Sequence, residues 1–246
     1  DFTQRFDLKY CTYKMIKGID FYNHIFSFAR KFENVTFKYE KIVQIQAEND
    51  CVMLETENNK YFSDYIFNST NLFNPQINTS DTLLQHFEGW IIKTVKPTFN
   101  SKIGTLMDFR INQEFGTTFM YILPTSSNEA LIEYTLFSEK ILDKEKYEKE
   151  LKSYIENYLK ADQYEILHKE FGVIPMSINK FSRKLSSNKN IINIGTAGGF
   201  TKNSTEYTFQ KKKKNTSKII ENLKKGKHPN IQIKKTNNQP KSLKFN

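Results

Sequence analysis

Three charged residues stand in otherwise apolar, β-type sequence. Asp108 and Arg110 lie in Gly104-Thr-Leu-Met-Asp-Phe-Arg110, and Glu133 lies in Ala130-Leu-Ile-Glu-Tyr-Thr-Leu-Phe137. Side chains alternate along a strand, so Asp108 and Arg110 share one face. Glu133 shares its face with Leu131 and Thr135, while Ile132, Tyr134 and Leu136 take the other. A carboxyl among apolar neighbours resists ionisation, and full burial raises its pKa by up to about 3–5 units. Glu133 is therefore a candidate for a protonated acid at neutral pH, able to donate to a weakly basic substrate. The same residues also suit a salt bridge from Glu133 to Arg110, or a Glu133 exposed at a sheet edge. A second candidate site is Gly195-Thr-Ala-Gly-Gly199, directly after the β-type run Asn190-Ile-Ile-Asn-Ile194. Small residues let backbone approach a ligand, and the amides of a following helix offer donors to a phosphate or a ring.

Several elements must position these residues. Thr118–Leu123 and Ala130–Phe137 predict a hairpin, punctuated by Pro124-Thr-Ser-Ser-Asn-Glu129. Their mostly apolar content calls for cover on both faces. Leu83–Thr94 predicts another strand of the same sheet, carrying Gly89 and the single tryptophan, Trp90. After Asp143 the apolar positions Tyr147, Leu151, Tyr154, Ile155, Tyr158 and Leu159 follow helical spacing, so a capped helix should cover the sheet. Val173-Ile-Pro-Met176 reads as an edge or rigid crossing, because Pro175 lacks a backbone donor. Glu170, a possible second acid, reads as structural.

Upstream, a strand is expected around Tyr10–Ile16. Asp20 is placed to cap a helix that buries Phe21, Ile25, Phe28, Ala29 and Phe32. His24 beside that stripe reads as a packing or surface residue. Short strands follow at Val35–Tyr39, Ile42–Gln46, Cys51–Thr56 and Tyr61–Phe62, then Tyr65-Ile-Phe-Asn-Ser-Thr70. Ligands of open α/β folds sit at the carboxyl ends of strands. Asn68, Ser69 and Thr70 thus either approach a cofactor or simply cap the loop. Ser217–Gly226 predicts a short helix ended by glycine.

The 246 residues suffice for one large domain or two small ones, and 21 Phe and 13 Tyr supply a core. Cys11 and Cys51 have neither metal nor redox spacing, so no metal site is expected; reduced thiols fit a cytoplasmic setting. No run of 18 apolar residues is present, which excludes a spanning helix. Residues 211–246 hold 12 Lys against one acidic residue, Glu221, so this segment's +11 exceeds the +10 of the whole chain. That basicity suits a solvated surface, anionic lipid headgroups or nucleic acid, but the body carries no nucleic-acid motif. From Lys227 onward Asn, Gln, Lys and Pro dominate, as in poorly ordered tails.

The chain resembles the bacterial lycopene cyclases, flavoproteins that close β-ionone rings on linear carotenoids. The resemblance is carried by Gln85-His-Phe-Glu-Gly-Trp90, Met107-Asp-Phe-Arg110, Phe119-Met-Tyr-Ile-Leu-Pro124, Glu129-Ala-Leu-Ile-Glu-Tyr-Thr-Leu-Phe-Ser138, Gly172-Val-Ile-Pro-Met176 and Gly195-Thr-Ala-Gly-Gly199. It extends over roughly residues 8–228. It departs at Ser204-Thr-Glu-Tyr207, where the family has Ser-Thr-Gly-Tyr, so Glu206 replaces a glycine near the flavin ring.

The resemblance implies an α/β fold: an incomplete FAD-binding, Rossmann-like domain of the glutathione-reductase type, with an antiparallel-sheet substrate domain. The expected division is 1–75 partial FAD-binding domain, 76–185 substrate sheet with its covering helix, 186–226 return to the FAD-binding domain, and 227–246 basic tail. No Gly-x-Gly-x-x-Gly occurs; the expectation is that this turn lies upstream of Asp1. The resemblance implies Glu133 as general acid, with Asp108 and Arg110 positioning it or tuning its pKa. Gly195, Thr196, Ala197, Gly198, Gly199, Thr205 and Tyr207 would contact FAD, used in its reduced form with NAD(P)H as indirect reductant. The implied substrate is lycopene, taken at a membrane surface by a cytoplasmic, peripheral protein that does not bind nucleic acid. The alternatives are a flavin-dependent oxidoreductase or monooxygenase of the same fold, and a non-catalytic carotenoid- or lipid-binding remnant.

Overall fold

The computed structural model describes residues 4–5, 14–48, 51–70, 82–177, 188–195, 197–198 and 209–229. The chain forms two compact units, one from Asp1–Tyr39 and Gln85–Val173, the other from Glu40–Leu84 and Ile174–Asn246.

The first unit is built on a five-stranded sheet. Its strands are β5 (Thr82–Thr94), β6 (Thr105–Asp108), β7 (Thr117–Pro124), β8 (Glu129–Ser138) and β9 (Tyr164–Ser177), in the order β6-β7-β8-β5-β9. The β7–β8 hairpin pairs Thr117 with Phe137 through to Pro124 with Ala130. Its turn closes through Thr125 and Ser126 amides donating to the Glu129 carbonyl. β5 runs antiparallel to β8: His86 meets Ser138 at one end, and the Thr94 amide donates to Asn128 O at the other. β9 lies at the sheet edge and continues through Pro175, a place in a sheet where a residue without an amide donor is tolerated.

Helix α2 (Lys144–Asn157) packs on one face of this sheet. Tyr147, Leu151, Tyr154 and Ile155 are buried there against Trp90, Ile92, Met120, Ile132, Tyr134 and Leu136. Asp143 stands at its N-cap without a capping hydrogen bond; its carboxylate meets Lys146 instead, 3.5 Å away. On the same side His86 is fully buried. Ser138 Oγ donates to the Lys140 carbonyl, so His86 Nε2 donates to Ser138 and its Nδ1 accepts from Tyr147 OH. Burial lowers the His86 pKa and keeps the ring neutral.

Helix α1 (Gly18–Ala29) forms as its spacing predicts, but Asp20 lies in its first turn and Lys17 takes the N-cap position. None of its residues is buried, and Phe21, Ile25, Phe28 and Phe32 are exposed. The expected buried stripe is therefore absent. Val35–Tyr39 joins no sheet, and the Val35 amide donates back to Phe32 O in a turn that follows α1. The strand expected around Tyr10–Ile16 lies mostly outside the described residues, and Lys14–Ile16 form none.

The second unit holds a meander and a parallel pair. β1 (Ile42–Glu48), β2 (Cys51–Thr56) and β3 (Lys60–Ser63) pair antiparallel in that order. β4 (Ile66–Asn68) pairs parallel with β10 (Ile191–Asn193). Ile45, Val52 and Ile191 form the core. Glu40 braces the meander by accepting from Thr56 Oγ1, Asn59 Nδ2 and Tyr61 OH. Helix α3 (Phe209–Lys224) starts eight residues earlier than its glycine-terminated pattern suggested, taking in the run Lys211–Lys214.

Candidate active site

The hairpin register sorts the charged residues between the faces of the sheet. Glu133 pairs with Tyr121, and Asp108 pairs with Met120. Directly paired residues share a face and consecutive residues alternate. Met120 belongs to the core under α2. Glu133 and Asp108 therefore point to opposite sides of the sheet. The expectation that Asp108 and Arg110 position Glu133 or tune its acidity does not survive this register, nor does an ion pair between Arg110 and Glu133.

Asp108 and Arg110 do share a face, as alternation requires, and they bind each other. Arg110 Nε donates to Asp108 Oδ1 at 2.8 Å and Nη2 to Oδ2 at 2.5 Å. The Arg110 amide also donates to Oδ1, a turn that ends β6 at Asp108 rather than at Arg110. Tyr154 OH donates to Asp108 Oδ2, and the Arg110 guanidinium lies over the Tyr158 ring. The Arg110 hydrogen bond is the largest cause that brings Asp108 down to about 2. The cluster locks α2 onto β6. The sequence marked Tyr154 and Tyr158 only as positions of an apolar stripe, because their i, i+4 spacing fits one; their part in this cluster had no local signal.

Glu133 sits on the other face, partly buried, between Leu131 and Thr135. Phe119 and Phe137 meet at a tilt on that side, and Phe109 and Met107 extend the apolar surface with their side chains half exposed. Burial pushes the Glu133 carboxyl up to about 7; Thr135 Oγ1, donating to Oε1 at 2.8 Å, opposes this, and the charge of Glu170 adds to it. The sequence placed Thr135 on the same face as Glu133 by alternation; that its hydroxyl turns to the carboxyl is shown by the structure. The arrangement can hold a proton near neutral pH against an aromatic and aliphatic surface, which suits protonation of an apolar, weakly basic group.

The glycine-rich candidate lies in the second unit, at the carboxyl ends of β4 and β10. Asn68 Nδ2 donates to Asn193 Oδ1, and the Ile194 amide donates to the Asn68 carbonyl. Gly195 has φ +59°, and a Cβ on it would lie 3.7 Å from Ser69 Cβ. A Cβ on Gly198 would stand 2.2 Å from the Asn193 carbonyl oxygen, so no side chain fits there. Ala197 is buried. Thr70 donates through its amide and hydroxyl to Asn68 Oδ1, which makes Asn68 a loop cap. Sharp turns by small residues at the ends of parallel strands fit a bound nucleotide or ring. Thr196, Gly199, Thr205, Glu206 and Tyr207 lie outside the described residues.

A family model described as "Lycopene cyclase protein" matches residues 3–242. The chain belongs to the lycopene cyclase family. No curated protein matches it in sequence. Among solved structures, a geranylgeranyl bacteriochlorophyll reductase-like protein from Thermoplasma acidophilum superposes with a TM-score of 0.61 at 11% identity, over 85% of this chain and 55% of that one. A flavoprotein/dehydrogenase from Cytophaga hutchinsonii gives 0.56 at 13%, over 89% and 56%. A mutant of the halogenase PltM in complex with FAD gives 0.50 at 11%, over 77% and 43%. This member of the lycopene cyclase family thus has the mixed α/β fold of flavoenzymes and spans about half the length of the solved structures it matches. Among the described residues no group of side chains could hold a metal ion, and no helix is long and apolar enough to cross a membrane.

Proposed function

We propose that the protein of which this chain forms part is a lycopene β-cyclase, an isomerase acting on linear carotenoids. The observation that supports this most is Glu133, a carboxyl raised to about 7 on an aromatic sheet face. Glu133 gives its proton to the terminal double bond of lycopene. The internal alkene's electron pair then closes the ring, and the cation loses a neighbouring proton to a carboxylate, leaving a β-ionone ring of unchanged composition. Thr135 holds the carboxyl oriented toward the substrate face, and Phe119, Tyr121 and Phe137 line that face and keep it poor in water.

Gly195, Thr196, Ala197, Gly198 and Gly199, with Thr205 and Tyr207, would hold FAD; the glycine geometry at 195 and 198 fits that role. When bound, reduced FAD supplies electron density that stabilises a nearby cation, with no net redox change, and NAD(P)H maintains it as an indirect reductant. Asp108 and Arg110 serve the reaction only through the rigidity of β6. Lycopene is insoluble in water, so the protein works at a membrane surface on the cytoplasmic side, with the lysines of residues 211–246 as its adhesion.

The test is expression of the full-length protein in cells that accumulate lycopene, with and without Glu133→Gln. The expected result is cyclised product from the unmodified protein and none from the variant. Oxygenated or desaturated product would instead assign a flavin-dependent oxidoreductase, and pigment binding without conversion a non-catalytic remnant.

A further inference from the structure

Beyond the acid itself, the edge of the sheet shows how its acidity is set. β9 carries two consecutive side chains to opposite faces. Lys169 Nζ lies over the Trp90 ring, 4.6 Å from its centroid, and pairs with Glu148 of α2 at 2.8 Å. Trp90 belongs to the core under α2, so Lys169 faces that side and Glu170 faces the other, with Glu133. The neighbouring cation is thereby committed across the sheet from Glu170.

Between β9 and β8 runs β5, and there Gly89 leaves a notch. A Cβ at Gly89 would stand 3.0 Å from both Cγ and Oε1 of Glu170, and 3.2 Å from Leu131 Cδ1. Glu170 therefore lies over the backbone of β5, directed at the stretch of β8 that holds Leu131 and Glu133. The reverse fit occurs next to it: a Cβ at Gly172 would stand 2.4 Å from the Phe87 ring. Two glycines on facing strands thus receive two large side chains, and this interlock fixes the direction of Glu170.

We infer that Glu170 is a positioning residue for Glu133: seated in the Gly89 notch, its carboxylate keeps the proton on Glu133. The titratable groups on the face of Glu133 are Tyr121, paired with it on β7, Glu129 on its own strand, and Glu170 with His168 on β9. β5 brings Gly89 and Phe87, which do not ionise, and the exposed Lys93 to that face. Of these, Glu170 is the one seated in the Gly89 notch against β8, and its charge raises Glu133, since like charge favours the neutral form of its neighbour. The inference rests on the cyclase reading only for its consequence in catalysis.

The experiment is a carbon-13 NMR titration of glutamate side-chain carboxyls in the full-length protein, with the Glu133 signal assigned by its loss in Glu133→Gln. In Glu170→Gln the Glu133 midpoint should fall by about half a unit or more. Gly89→Ala, which displaces Glu170, should lower it in the same direction, and the double variant should fall no further than Glu170→Gln. Added salt should shrink the difference between Glu170→Gln and the unmodified protein, since Glu170 is exposed to solvent. Glu170→Asp should restore part of the midpoint. An unchanged Glu133 midpoint in Glu170→Gln overturns the inference. If the midpoint moves but the alkaline limb of cyclisation does not follow it to lower pH, the coupling stands and the assignment of Glu133 as the acid falls.

Discussion

At the scale of single residues, one sheet holds two carboxyls in opposite states. Asp108 accepts from Arg110 and Tyr154 and is held ionised at about 2, whereas Glu133 has one hydroxyl donor and sits near 7. Folding stability should record both. Glu133 is raised above its ordinary 4.5. Its contribution is therefore fully present below about 4.5 and lost as pH rises through about 7. Glu133→Gln should thus gain on the parent protein across that window, by on the order of 1–3 kcal/mol at pH 8 in urea unfolding. A variant equally or less stable at pH 8 would show that the carboxyl is well solvated. Asp108 is lowered from 3.8, so its contribution is present above 3.8 and lost as pH falls through about 2. Tyr154→Phe removes one donor from that buried carboxylate, at a cost of about 1.5–3 kcal/mol near neutrality. It should also move acid unfolding to higher pH, which circular dichroism against pH would measure.

At the scale of elements, helix α2 makes the difference between the two faces. Its stripe of Tyr147, Leu151, Tyr154 and Ile155 is buried to within 1% exposure, so it seals one side of the sheet. Leu151→Ala should cost about 2–5 kcal/mol, from lost burial and the cavity left behind. Its urea midpoint should fall with little change in slope; a loss under 1 kcal/mol would mean the helix repacks freely. The helix, the hairpin and the edge strand with Pro175 were legible because each has a strong local signature: period 3.6, period 2 with a Pro and Ser-Asn turn, and a missing amide. Glu133 was legible for the same reason, as a lone carboxyl in an apolar run. What local pattern could not carry was partnership across strands. Asp108 and Glu133 are 25 positions apart, and only the β6–β7–β8 register decides that they face apart. Gly89 and Glu170 are 81 apart, so the notch that joins them has no local trace. The apolar spacing of α1 signalled a helix correctly, yet it carried no information on burial, which depends on what packs against Phe21, Ile25 and Phe28. Val35–Tyr39 has the composition of a strand and lacks only a neighbour.

At the scale of the whole molecule, charge is segregated along the chain. Residues 211–246 carry +11, and the remainder is close to neutral. On α3, Lys213, Lys214, Lys218 and Lys224 are exposed, and so are Phe209, Ile220 and Leu223. Lys225 is partly neutralised by Glu221, 2.5 Å away. A surface that mixes free lysines with apolar side chains can meet an anionic bilayer by two forces, each lysine near the surface adding about 1 kcal/mol. The electrostatic part is screened by salt and the apolar part is not. Sedimentation of the full-length protein with phosphatidylserine vesicles should therefore fall steeply between low and high salt, while a residual fraction stays bound. Replacing Lys213, Lys214, Lys218 and Lys224 with Gln should remove most of the salt-sensitive part and leave the residue. Binding that is indifferent to both salt and these lysines would assign membrane contact to some other part of the protein. Binding equally strong to duplex DNA would mark the segment as a general polyanion surface. If the protein acts on a water-insoluble carotenoid as proposed, loss of vesicle binding in this variant should raise the substrate concentration needed for half-maximal cyclisation without altering the pH dependence proposed for Glu133.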